Sequence, residues 1–389
     1  MSKICLYFQV HQPDRLRRYS VFDTDAFYFD ELKNAEICRK VAHKCYIPAT
    51  RILLQLLASK SDDFKVSFSI SGTAIEQLER YVPEALALFV ELSKTGKVEF
   101  LAETSHHTLA SLYSPAEFRK QVATQVDTVR SLFGQSPTTF RNTELIYSNT
   151  IAQIVSDMGY KTILIEGADH ILTGGKTPGA AYHPPGLLDV KLLLKNHRLS
   201  DDIAFRFSNR SWSHWPLTAE KFAGFVDKLD QPCVNLFMDF ETFGEHQWEE
   251  TGIFDFLKAL PAALVARGHG FATPRELSES LQMAGELDVR QPISWADSER
   301  DVSAWIGNAM QSNAAHELFK LEPAMLAKDD AVLLSDWRKL QASDHFYYMC
   351  TKYFADGDVH RYFSPYESPY DSYINFMNVL DNLRSRSSA

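Results

Sequence analysis

The sequence predicts an α/β fold built on a parallel sheet, and three observations carry that expectation. Short runs of β-branched and aromatic residues recur between residues 3 and 273. The longer stretches between them place apolar residues at i, i+3 and i+4, and two of these stretches close at Gly96 and Gly134. The short runs are almost continuously apolar, as strands covered on both faces are.

Taken in order, KICLYFQV (3–10), KVSFSIS (65–71), KVEFLA (97–102), TTFRN (138–142), KTILIE (161–166) and CVNLFMDF (233–240) read as strands. AIEQLERYVPEALALFVELSKTG and PAEFRKQVATQVDTVRSLFG read as helices, the first kinked or split at Pro83. TGIFDFLKALPAALVARGHG behaves likewise and leads to a last short strand near 270–273. Beyond about residue 290 the strands cease and the chain reads as mostly helical. Alternating β and α units of this length imply right-handed crossovers. The rhythm alone is compatible with an open doubly wound sheet or with a closed barrel.

A chain of 389 residues accommodates one large barrel plus an appended unit, or two ordinary domains. Its 45% apolar and 23% charged content is that of a globular protein. The net charge of −10 argues against a nucleic-acid partner but not against a neutral sugar polymer. The aromatic share of 12% suits stacking against sugar rings, and it suits a large core equally. Cysteines 5, 38, 45, 233 and 350 are scattered, without a CxxC pair, so neither a disulfide framework nor a zinc site is expected. The N-terminal apolar run is broken at Gln9 and His11, a poor secretory signal and too short to span a membrane. The expected setting is cytoplasmic, with no membrane partner.

Several expected strands end in a polar or ionisable group: His11, Glu99 with Glu103, Asn142 with Glu144, Glu166, and Asp239 with Glu241. In α/β barrels the loops after the strand C-termini build the active site. Carboxylates gathered there are what glycosidic chemistry needs, one protonating the leaving oxygen while another attacks or stabilises the oxocarbenium-like centre. A single such acid is ordinarily a solvated loop residue. Five positions, each just past an apolar run, make a pattern.

HQP (11–13), GKVEF (96–100), FRNTEL (140–145), MDFETFGEH (238–246) and QASDHFYYM (341–349) stand in this order along the chain. Together they resemble the conserved regions of glycoside hydrolase family 57, across essentially the whole sequence. HQP alone is weak; the TE dipeptide closing a strand and the apolar-D-x-E-x-FG block are more specific. The resemblance implies an incomplete (β/α)7 TIM-like barrel over residues 1–290. It further implies a C-terminal α-helical bundle over 291–389 that caps the active-site face. It also implies retention of anomeric configuration, without metal or other cofactor. Carried over by position, Glu144 is the nucleophile and Asp239 the general acid/base, while His11, Glu99, Glu241 and Asp344 line the substrate pocket. FRNTE departs from the Trp-Leu-x-Glu pattern of many members, which bears on subsites more than on the nucleophile.

The residues are consistent with these roles. To act as an acid near neutrality Asp239 needs a raised pKa, and Glu144 is the obvious like-charge neighbour. Glu241 shares a strand face with Asp239. His107 of the His106–His107 pair, just past the third strand, is a candidate for the pocket. Trp305, four residues from Asp301 on a helical face, is a candidate for sugar stacking, although such a Trp is usually core. In 196–215, Asp201, Asp202 and Arg206 read as an ion-paired loop near the cleft, and Trp212 or Trp215 as a stacking platform. A surface loop held by salt bridges explains them as well. SPYESPYDSY (364–373) reads as an extended segment.

Two rivals are weighed. A metal-dependent deacetylase needs histidines and an aspartate converging on a divalent ion, but Ala110 stands four residues after His106 where a second histidine would be sought. A catalytically idle glycan-binding protein on the same scaffold would have lost a carboxylate, and both are present. Among enzymes, hydrolysis of α-1,4-glucans is favoured by the compact length. 4-α-Glucanotransfer and α-1,6 branching share the same intermediate. Oligomeric state is not legible.

Overall fold

The computed structural model describes residues 1–59, 63–352 and 364–388. Ten strands run in chain order: β1 (Lys3–Val10), β2 (Val66–Ile70), β3 (Val98–Phe100), β4 (Thr139–Arg141), β5 (Thr162–Glu166), β6 (Ala181–His183), β7 (Lys191–Lys195), β8 (Cys233–Asp239), β9 (Gly270–Phe271) and β10 (Met283–Glu286). The six long expected strands and the short one near 270 are present, trimmed at their ends. β6, β7 and β10 were not expected. β6 and β7 follow a glycine- and proline-rich turn region, and β6 and β10 have only three and four residues. Too little apolar period is left in them to stand out.

One sheet has the order β3-β2-β1-β8, with β9 also pairing to β1; the other has the order β10-β6-β7-β5-β4. All pairings are parallel except β6 with β7. Backbone hydrogen bonds connect the sheets at both borders. Ala102 N–H donates to Thr139 and Arg141 N–H to Ala102, each at 2.9 Å, and Asn196 N–H donates to Asn235 at 2.8 Å.

Strand alternation sorts the side chains into two faces. Cys5, Tyr7, Leu101, Leu164, Leu193, Cys233 and Phe237, contributed by both sheets, form one apolar cluster. The other faces carry helices. Phe8 is fully buried and meets Phe68, Phe240 and Phe243 at 5.4, 5.3 and 5.6 Å between ring centroids. Each pair is worth roughly 0.5–1.5 kcal/mol beyond area burial. This cluster runs on under helices 47–58, 72–81, 83–93 and 253–265. A second large cluster joins helix 115–133 to the helices after residue 303.

The break at Pro83 is as expected: helix Gly72–Tyr81 ends and Pro83 opens the next, where its missing N–H costs nothing. Pro261 does not split its helix, which runs from Ile253 to Val265. The 364–373 segment is only partly extended, because Ser368 caps a helix that starts at Pro369 and continues to Ser388. Residues 196–215 are likewise not all loop, since His197–Ala204 is helical. After residue 290 the described residues form helices and connections, and residues 353–363 of the expected helical region lie outside the described residues. No described helix is long and apolar enough to cross a membrane.

Candidate active site

A cavity of about 730 Å³ lies at the C-terminal ends of β1, β7 and β8 and beside the turn that follows β4. Its lining includes His11, His107, Glu144, Asp239, Glu241 and Asp344. These residues come from five separate stretches of chain.

Glu144 sits on a tight turn straight after β4, with φ 56° and ψ 23°, and Leu145 follows at φ 52°. Consecutive left-handed non-glycine residues are strained, and such strain concentrates at functional sites. Here it turns the carboxylate into the cavity, and Asn142 braces the turn through Ser111 and the Ile146 carbonyl. Oε1 of Glu144 accepts from Ser343 Oγ at 3.0 Å and faces His107 Nε2 at 3.3 Å. Oε2 accepts from the Trp295 indole N–H at 2.6 Å.

His107 lies between two carboxylates, with Glu103 Oε2 3.4 Å from its Nδ1. Burial alone would lower its pKa, but the bonds to Glu103 and Glu144 outweigh that and raise it to about 9. The ring is therefore an imidazolium at neutral pH. Burial would raise the Glu144 carboxyl; His107, the Arg141 guanidinium and the Trp295 N–H reverse this and leave it lowered. Arg141, at the end of β4, is fully buried, and none of its guanidinium nitrogens finds a hydrogen-bond partner among the described residues. It lies 4.8 Å from the Trp295 ring centroid and 6.0 Å from that of Tyr7.

Asp239 is displaced the other way. Burial first and the Glu144 charge second raise its pKa to about 6, against the pull of Arg141, His107 and Lys195. No hydrogen-bond donor among the described residues engages its carboxyl, which faces the cavity. Glu241, beyond the end of β8, is raised to about 8 by burial and by Asp239. It accepts a short hydrogen bond from Tyr46 O–H, and Gln12 Nε2 donates to the same Tyr46 oxygen at 3.1 Å. Tyr46 ends a five-residue π-helical turn, Ala42–Tyr46, a local form often found at functional sites. Gly244 lets this arrangement close: its φ is 120°, and a Cβ there would stand 1.9 Å from the Lys44 carbonyl.

His11 Nε2 is 2.9 Å from Asp344 Oδ2, and its Nδ1 is 2.7 Å from Ser71 Oγ. Ser71 Oγ also accepts the Ala74 N–H as a helix cap, so its own proton is free to go to Nδ1. The assignment that follows is a neutral His11 with its proton on Nε2, donated to Asp344. Burial and the neighbouring His107 lower the His11 pKa in agreement with this. The two imidazoles stack at 4.1 Å. The His11–Asp344 bond ties the C-terminal region to the cavity, as does Ser343 N–H, which donates to the His107 carbonyl.

One expected pocket residue, Glu99, lies elsewhere. Glu99 accepts from Thr139 Oγ1 at 2.5 Å and from the Arg275 N–H at 2.9 Å, away from the cavity lining. Glu103, four residues further along the chain, is not in the lining either, but it bonds His107, which is. Trp305 borders the cavity but is 1% exposed and packs in the core, so its ring offers no open stacking face. Asp301 caps Ser303 rather than facing sugar. His106 bonds Ser105 and stands outside the lining, its pKa lowered to about 3 by burial. Asp202 pairs with Arg206 at 2.6 Å, Trp212 packs against the core, and Trp215 lies beside Arg210; none of the four first-named lines the cavity.

Residues that sequence reasoning missed include Trp295, Arg141, Lys195 and Arg300; Glu103 and Asp201 were noted without these roles. Lys195 pairs with Glu166 at 3.4 Å and Asp201 at 3.5 Å, and Arg300 pairs with the same two at 3.4 and 2.8 Å. Two cations and two anions thus neutralise one another beside Trp295. The only sequence signal was Glu166 at a strand end and the dense polarity around Asp201.

Comparison with known proteins defines first a class, that of carbohydrate-active enzymes on an α/β scaffold. The profile described as "Glycosyl hydrolase family 57" matches residues 5–290, and the chain belongs to this family. A curated protein of Methanocaldococcus jannaschii named "Putative alpha-amylase" is 40% identical over 97% of this chain and 83% of its own length. Among solved structures, a GH57-type branching enzyme from Pyrococcus horikoshii superposes with a TM-score of 0.68 at 15% identity, covering 98% of this chain and 88% of that one. The 4-alpha-glucanotransferase of Thermococcus litoralis gives 0.67 at 15% identity over 89% and 56% of the two chains. An alpha-amylase from Thermotoga maritima gives 0.63 at 14% identity over 99% and 94%. At these identities the structural likeness is one of fold.

Proposed function

We propose that the protein is a retaining glycoside hydrolase acting on α-1,4-glucans such as starch, glycogen or maltooligosaccharides, with Glu144 as nucleophile and Asp239 as general acid/base. The observation that carries this reading is the opposed titration of two carboxyls facing one cavity. His107, Arg141 and Trp295 lower the pKa of Glu144, while burial and Glu144 itself raise that of Asp239 to about 6. Environments that push two acids apart in this way assign base-like and acid-like roles.

In the first step Glu144 attacks the anomeric carbon, the glycosidic bond breaks, and Asp239 protonates the departing oxygen. In the second, Asp239 takes a proton from water as the water oxygen displaces Glu144. His11, Asp344 and Glu241 supply hydrogen-bonding groups for sugar hydroxyls. A glucan hydroxyl in place of the water gives transfer or branching by the same intermediate.

The fold reading that accompanies this function is an incomplete (β/α)7 barrel of β1, β2, β3, β4, β5, β7 and β8. The bonds of Ala102 to Thr139 and Arg141, and of Asn196 to Asn235, support it. Residues 1–290 form the barrel part, and the 291–389 region lends Trp295, Ser343 and Asp344 to the cavity face. Cys5, Cys38, Cys45 and Cys233 are buried thiols without disulfides, which supports a reducing, cytoplasmic setting.

Incubation with maltoheptaose and amylose, with products resolved by size, tests the proposal beside Glu144→Ala and Asp239→Ala. Shorter products and rising reducing ends, lost in both variants, are expected. Longer products at constant reducing ends would reassign the reaction to transfer. Glucan binding without turnover would favour a binding protein.

A further inference from the structure

We propose that Trp295 is a catalytic residue for the second half-reaction, in which the sugar leaves Glu144, and that Arg300 is the positioning residue that holds it there. This rests on the reading of Glu144 as the nucleophile.

The two oxygens of Glu144 are not equivalent. Oε1 accepts from both Ser343 and His107, which occupies both of its in-plane lone pairs. Among the described residues Oε2 accepts only from the Trp295 indole, at 2.6 Å, so one lone pair remains for attack. Trp295 therefore donates to the atom that reacts.

Glycosylation moves that Oε2 lone pair into a bond with the anomeric carbon, as the glycosidic bond breaks and Asp239 gives its proton to the leaving oxygen. Oε2 becomes a neutral ester oxygen, and the indole bond weakens. Deglycosylation reverses the charge. Water bonds to the anomeric carbon, its proton passes to Asp239, and the carbon–Oε2 electron pair returns to Glu144. The indole N–H meets that returning charge, so it assists carboxylate departure and keeps the covalent intermediate from accumulating.

The surroundings sharpen the donor. Arg141 and Lys195 stand 4.8 and 5.2 Å from the indole centroid, and two cations beside one ring polarise its N–H outward. The main chain of Trp295 is tied at both ends. Its N–H donates to the Glu144 carbonyl at 3.1 Å, and its carbonyl accepts from Arg300 Nη1 at 2.5 Å. Arg300 is itself anchored on Asp201 at 2.8 Å and Glu166 at 3.4 Å. Bridges of Ile293 to Tyr147 and Asp301 hold the base of this loop, and the Arg300 guanidinium fixes the stretch that carries the indole.

Trp295→Phe keeps a ring beside the cations and removes the donor. With α-maltosyl fluoride as substrate, quenched samples are weighed as intact protein and the adduct is mapped by peptide. Losing a hydrogen bond to a charged oxygen should lower kcat roughly 10- to 100-fold. KM should fall with it, and a glycosyl adduct on Glu144 should build up in the steady state. Arg300→Met should show the same joint fall in smaller degree, and Arg300→Lys should restore part of it. A lower kcat with unchanged KM and no adduct, or no change in either constant, would overturn the role of Trp295. Asp239→Ala separates the two layers, since a fluoride leaving group needs no acid. Adduct in Asp239→Ala but none in Trp295→Phe removes only the Trp295 inference. No adduct on Glu144 in either variant removes the nucleophile assignment as well.

Discussion

Replacing His107 by asparagine should move the acid side of the activity profile to higher pH. Asparagine tolerates the left-handed backbone of this position, φ 51°, better than most residues, and its amide can still donate toward Glu103. What it removes is a positive charge 3.3 Å from Glu144. At an effective dielectric of about 20, two unit charges at that separation attract by about 5 kcal/mol before any compensation. Opposed charges this close ordinarily displace a carboxyl by about 1–3 pKa units. In the proposed mechanism Glu144 must be ionised to attack, so activity is lost as pH falls through its pKa, and a raised pKa brings that loss to higher pH. Asp239 must be protonated, and it too loses a cationic neighbour, so the basic limb also rises, but less because Asp239 feels His107 after Arg141. The bell in kcat/KM should therefore shift upward and narrow, with its acid limb moved by about 1–3 units. The assay is kcat/KM for a chromogenic maltooligosaccharide from pH 4 to 9, with circular dichroism as a check on folding. A folded variant whose acid limb stays in place, or moves down, would refute the claim that His107 keeps Glu144 ionised.

Arg141→Met should raise both limbs together, because Glu144 and Asp239 each lose the same cation. Since that buried guanidinium has no hydrogen bond among the described residues, thermal unfolding should show no loss of Tm; a large drop would mean that its charge holds the fold together. Glu99→Gln should leave kcat/KM within a few-fold of the parent. Its carboxyl is raised by burial and engages Thr139 and Arg275 rather than the cavity. A loss as deep as that of Asp239→Ala would return Glu99 to the site.

Much of the architecture was local enough to read. Buried strands announce themselves by apolar runs, and helices 115–133 and 72–93 by their period, glycine stop and Pro83. The carboxylates that open into the cavity stand directly after such runs, so Glu144, Asp239 and Glu241 were named by position along the chain. The departures from expectation have physical causes too. No pattern within three strand residues says that Glu99 turns to Thr139 and Arg275 while Glu103 reaches His107. Trp305 was selected by helical spacing, and that spacing reports burial in a core as readily as a binding face.

What the sequence by itself determined was therefore the alternation of strands and helices and the acids placed at strand ends, because both depend on a few neighbouring residues. The protonation of those acids was decided only in three dimensions. Trp295 meets Glu144 across 151 positions, Ser343 across 199, and Asp344 meets His11 across 333. Charge, burial and hydrogen bonding act over a few ångströms of space, and only the folded chain brings groups so far apart in sequence to within that range.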